Sequence, residues 1–115
     1  MKHTGSCHCQ KVRFEIETDI AKALACNCSI CSKRGTLLTF LPEEQFTLLS
    51  GEDALTDYLF NKKVLHHYFC GTCGVATFAS GVGRDGKPMR AINIRCLDDF
   101  DLSQVPVTEF DGKSL

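Results

Sequence analysis

Six consecutive residues, Cys26-Asn27-Cys28-Ser29-Ile30-Cys31, carry three thiols in a C-x-C-x-x-C pattern, and nothing else in the chain restricts its fold as strongly. Cys7 and Cys9 form a C-x-C pair before this run, Cys70 and Cys73 a C-x-x-C pair after it, and Cys96 stands alone. A C-x-x-C turn lets two sulfurs approach one point, which suits tetrahedral zinc with bonds of about 2.3 Å. Two such pairs make one closed four-thiolate site, whereas a run of three makes a site with a vacancy. The pattern therefore predicts two zinc ions per chain with different roles.

Eight cysteines in 115 residues also fit a disulfide framework. Met1 to Ser6 contains no apolar run of the signal-peptide kind, and no stretch reaches the roughly 20 apolar residues that span a bilayer. A cytoplasmic location is expected, and thiols there stay reduced, so patterned cysteines favour metal over bridges. The formal net charge of −1 gives no field that would draw the protein to nucleic acid or a membrane surface. The length fits a single domain over residues 1–115, with a modest core supplemented by metal cross-links.

Short strands fill the intervals between cysteines. Val12, Phe14 and Ile16 alternate with Arg13, Glu15 and Glu17, the pattern of a half-buried strand. Thr36 to Leu41, Gln45 to Leu49, Leu55 to Phe60, Val64 to Phe69, Val75 to Ala79 and Met89 to Cys96 read as further strands, with Val107 to Phe110 as a last edge strand. Turns are expected at Ser50-Gly51 and Asn61-Lys62, and a hairpin connection over Gly81 to Pro88. No segment keeps a helical period for the length of a helix. The fold class is all-β, a small zinc fold in which a structural zinc joins two cysteine knuckles.

Cys7, Cys9, Cys70 and Cys73 would tie the amino terminus to the middle of the chain, and a closed four-thiolate site contributes directly to folding. Cys26, Cys28 and Cys31 leave a fourth position for water, a substrate thiol or another side chain. Cys96, His66 or His67 could instead close that site. Cys96 shares a strand face with Ile92 and Ile94, which favours a place in the core, and adjacent His66 and His67 point to opposite faces. An open trithiolate zinc is a poor Lewis acid for making hydroxide, but it holds a soft sulfur as thiolate, so a small thiol is the natural guest. Lys33 and Arg34 stand beside it and can pair with carboxylates. Whether Arg84, Asp85, Lys87 or Arg95 lines a pocket stays open, as does assembly into a homodimer.

Gly5-Ser6-Cys7-His8-Cys9, Cys26-Asn27-Cys28-Ser29-Ile30-Cys31, Phe69-Cys70-Gly71-Thr72-Cys73-Gly74 and Asn93-Ile94-Arg95-Cys96-Leu97-Asp98 together resemble the glutathione-dependent formaldehyde-activating enzyme family, which includes centromere protein V-like proteins. The resemblance runs from residue 5 to about residue 98. It implies a small antiparallel β-tent fold, a structural zinc on Cys7, Cys9, Cys70 and Cys73, and a second, catalytic zinc on Cys26, Cys28 and Cys31. It further implies carbon–sulfur lyase activity in which the zinc-held thiolate of glutathione attacks formaldehyde, giving S-hydroxymethylglutathione. Two other functions remain open on the residues alone: a non-catalytic zinc module that binds a protein partner, and a thiol-based zinc or redox sensor.

Overall fold

The computed structural model describes residues 1–59, 65–83 and 85–114; Phe60, the turn expected at Asn61-Lys62, Val64 and Arg84 lie outside the described residues. The alternating stretch before Thr18 forms strand β2 (Arg13–Glu17), and Val12, Phe14 and Ile16 have no exposed surface. Each of these side chains contributes roughly 1.5–3 kcal/mol by leaving water. Strand β1 (Lys2–Ser6) lies antiparallel on one side of β2 and β5 (Phe46–Ser50) on the other, making a three-stranded sheet. The polar sequence of β1 carries no strand signal of its own. Its backbone is ordered by pairing along β2, with Gly5 opposite Phe14.

The larger sheet has seven strands among the described residues. Its order is β10 (Val107–Phe110), β3 (Ala23–Cys26), β4 (Leu38–Pro42), β9 (Pro88–Asn93), β8 (Ala76–Val82), β7 (His66–Cys70) and β6 (Leu55–Tyr58). Every pair is antiparallel except β10 with β3, which runs parallel from Val107 beside Ala23 to Phe110 beside Cys26. The antiparallel fold that the family resemblance implies is present, with this one edge pair as its exception. After β9, in the middle of the sheet, the chain passes to that edge and enters it beside the start of β3, so the two strands point the same way.

The core lies between the two sheets, where Phe14 and Ile16 meet Leu41, Phe78 and Ile92. Phe46 bridges them, its ring 5.9 Å from Phe14 and 4.6 Å from Phe78. The expected strand from Met89 to Cys96 stops at Asn93, whose side chain accepts from the Arg95 amide and starts a 3-10 turn over Ile94–Cys96. Cys96 is buried in the core as expected, but the turn carries it inward rather than strand alternation. The expected hairpin is present between β8 and β9, closed by Gly83 N donating to Lys87 O at 2.9 Å. Among the described residues the structure also contains one α-helix absent from the sequence reading, the single turn α1 (Cys31–Arg34). Its four residues are too few to show a helical period.

Candidate metal centres

Two cysteine sets, and no other such group among the described residues, gather donors closely enough to share a metal ion. The first sits where β1 and β7 end. Cys7 and Cys9 turn back through Gln10, whose amide donates to Cys7 O at 3.2 Å; Cys70 and Cys73 turn back through Gly74, whose amide donates to Cys70 O at 2.7 Å. Both turn residues hold a left-handed backbone, φ 66° at Gln10 and 82° at Gly74. Glycine takes this conformation freely, and glutamine does so only under the constraint of its surroundings.

The sulfurs of Cys7 and Cys70 each lie 3.6 Å from that of Cys9, and all four lie within 4.8 Å of one another. Sulfurs at the corners of a tetrahedron with bonds of about 2.3 Å stand roughly 3.8 Å apart, so the donor set fits. Backbone amides aim at these sulfurs. Val12 N donates to Cys7 Sγ at 3.4 Å. The amides of Cys9 and Val75 hold the Cys73 thiol down to about 6, and the amides of Cys73 and Thr72 lower Cys70. Anionic sulfur is thus favoured at Cys70 and Cys73, while at Cys9 the Lys11 amide is outweighed by burial and the three neighbouring thiols, which push the group up to about 11. Cys7 and Cys70 are buried while Cys9 is exposed, so the site lies at the rim of the fold.

The second set is built by one continuous stretch. β3 ends on Cys26, the chain bends through Asn27, and α1 begins on Cys31, with Ser32 N donating to Cys28 O at 3.0 Å and Gly35 closing the turn in a left-handed conformation. The sulfurs of Cys26, Cys28 and Cys31 lie within 4.8 Å of one another and are all half-buried. Burial, with the neighbouring Cys28 sulfur, pushes the Cys31 thiol up to about 12. Burial also raises Cys26. Burial opposes ionisation of Cys28 too, but the amides of Cys31 and Ile30 and both neighbouring thiols outweigh it and lower that group. One thiolate is comfortable here and three are not, unless a cation joins them.

Beside the Cys28–Cys31 bend opens a cavity of about 530 Å³ lined by Ser29, Ile30, Lys33, Arg34, Tyr58 and Phe69. The Arg34 guanidinium lies over the Phe69 ring, 5.5 Å from its centre, and remains exposed. Lys33 and Arg34, directly behind the cysteines in the chain, therefore line this cavity. Tyr58 and Phe69 were not singled out by the sequence. The one available signal was the place of Phe69 next to the Cys70 knuckle.

Cys96, His66 and His67 join neither set. The Cys96 thiol faces Ala76 O at 3.5 Å and is pushed up to about 11 by burial. His66 pairs with Asp57 at 2.6 Å. His67 is buried on the opposite face of β7, its pKa lowered by burial and then by Arg34. Asp85 is engaged within its hairpin loop, where its carboxylate accepts from Lys87 N at 3.0 Å, and neither it nor Lys87 nor Arg95 lines the cavity.

The sequence profile of the glutathione-dependent formaldehyde-activating enzyme family matches residues 2–110, which include all seven clustered cysteines. A crystal structure of a Rhodobacter sphaeroides protein is similar with a TM-score of 0.79 and 30% sequence identity, covering 91% of this chain and 99% of that one.

Proposed function

Because this chain belongs to the glutathione-dependent formaldehyde-activating enzyme family, we propose that it is a zinc-dependent carbon–sulfur lyase joining glutathione and formaldehyde, or a closely related small thiol and aldehyde. The observation that carries this reading is the second thiol set. Three sulfurs are gathered at one point, no fourth His, Cys, Asp or Glu donor joins them among the described residues, and a cavity lined by two cations opens alongside.

Cys26, Cys28 and Cys31 would hold the second zinc, and Cys7, Cys9, Cys70 and Cys73 a structural one. Bound at the three-thiol set, zinc would supply a fourth position that takes the substrate sulfur as thiolate at neutral pH. Lys33 and Arg34 would pair with carboxylates of glutathione, and the apolar edges of Ile30, Tyr58 and Phe69 would pack along its backbone. In the addition, a sulfur–carbon bond forms, the carbonyl π pair moves to oxygen, and that oxygen takes a proton; the product is S-hydroxymethylglutathione. Reducing surroundings such as the cytoplasm go with this reading, since the thiols must stay reduced.

Exchange between glutathione, labelled formaldehyde and their adduct can be followed by NMR. The zinc-loaded protein is expected to accelerate it, and Cys28→Ser to lose the acceleration while keeping its fold. A folded protein carrying two zinc ions that neither binds glutathione nor speeds the exchange would overturn the assignment.

A further inference from the structure

Residues 110–114 run across the three-thiol stretch. The parallel pairing of β10 with β3 sets Phe110 level with Cys26, and Asn27 N donates to Phe110 O at 3.1 Å. Both ends of the Asn27 side chain then grip the following turn. Its Nδ2 donates to Asp111 Oδ1 at 2.9 Å, and its Oδ1 accepts from Lys113 N at 2.8 Å. The other Asp111 oxygen accepts from Ser114 Oγ at 2.6 Å, and Phe110 meets the Phe40 ring edge-on at 5.4 Å. The turn is thus fastened to the one residue that separates Cys26 from Cys28.

Gly112 lies at the point of contact. It is not among the glycines with positive φ, so backbone conformation does not call for glycine here. Space does: a Cβ at position 112 would collide with Cys26 Sγ and stand 3.5 Å from Cys28 Cβ.

We infer that the Asp111–Ser114 turn is a positioning wall for the three-thiol metal site, with Gly112 leaving the room that the Cys26 sulfur needs and Asn27 holding the wall in register. This rests on the reading that Cys26, Cys28 and Cys31 hold zinc. Gly112, Asn27 and Asp111 act here through the cysteines. Outer-shell groups of this kind typically change metal affinity about 10–100-fold.

Cobalt(II) titration of the metal-free 115-residue chain tests this, because sulfur-to-cobalt charge-transfer and ligand-field bands report each site's donors. The wild-type chain is expected to take up two equivalents. Gly112→Ala should bind one equivalent unchanged and the other about 10–100-fold more weakly, with shifted ligand-field bands. Asp111→Ala should weaken the same equivalent about tenfold, and Asp111→Asn, which keeps the acceptor for Asn27, should restore it. Two equivalents with wild-type affinity and spectra in both Gly112→Ala and Asp111→Ala would overturn the inference. Should Gly112→Ala fail to fold, the contrast between Asp111→Ala and Asp111→Asn decides it alone. A wild-type chain that takes up a single equivalent would instead overturn the underlying metal reading.

Discussion

The sulfurs of Cys9 and Cys70, separated by 61 positions in the chain, lie 3.6 Å apart. Cys9 belongs to the connection between β1 and β2, and Cys70 ends β7, so this contact fastens the smaller sheet to the larger at one corner. A metal shared by these sulfurs would act as a cross-link closing a long loop.

Closing a loop of that length removes roughly 4 kcal/mol of unfolded-state entropy in the chain-entropy treatment of cross-links. Cys70→Ser, or exhaustive chelation, is therefore expected to lower Tm by more than about 10 °C. Calorimetry with and without chelator measures this. An unchanged Tm in a demonstrably metal-free sample would refute the cross-linking role.

Cys28→Ser removes a donor from a site confined to one local stretch, so its effect on stability should be small. Activity should fall by about 100-fold or more, since a metal centre supplies several kcal/mol to the reaction. Metal content per chain should drop from two to one. Circular dichroism and metal analysis on one preparation separate this outcome from simple unfolding.

Arg34 is exposed at the end of α1 and lies over Phe69. A charge-assisted bond from it to a glutathione carboxylate, as proposed, would be weakened by solvent, so Arg34→Ala should raise KM for glutathione about 3- to 10-fold with kcat nearly unchanged. Arg34→Lys should recover part of the loss. A fall in kcat alone would count against a binding role.

His67 is buried, and its pKa is lowered by that burial and then by Arg34, with Asp57 acting in the opposite sense and His66 adding to the lowering. The folded state thus binds the proton less readily than the unfolded chain, where the histidine titrates near 6.5. Stability from this group is present above that pH and is lost as pH falls through the lower folded value. Denaturation of wild type and His67→Gln between pH 7.5 and 5.5 should show a steeper loss in the wild type; parallel curves would exclude the effect.

Gly5 pairs with Phe14 across the smaller sheet, and a Cβ there would stand 2.6 Å from Phe14 Cζ and 2.8 Å from Cys96 O. Gly5→Ala should destabilise the protein by about 1–3 kcal/mol through overpacking. Urea denaturation reads it directly, and Gly5→Ala combined with Phe14→Leu should recover part of the loss.

The alternation of Val12, Phe14 and Ile16 and the spacing of seven cysteines made the core strand and both thiol sets legible without coordinates. Those features are local: period-two burial and converging turns operate over a few residues. β1 was not legible, because a polar strand takes its order from its partner. The end of β9 at Asn93 was also hidden, since it is set by a side chain accepting from the Arg95 amide rather than by any change in apolar pattern.

What the sequence determined by itself was the number of thiol sets, their membership and the all-β character, since each follows from short-range spacing. Only the tertiary structure decided that a 3-10 turn carries Cys96 inward, that Phe69 lies under Arg34 with Tyr58 lining the same cavity, and that Gly112 rests against Cys26. These contacts join residues far apart in the chain. Their occurrence depends on how two sheets pack and on which way β10 enters beside β3, and packing of that kind leaves no periodic trace in the sequence.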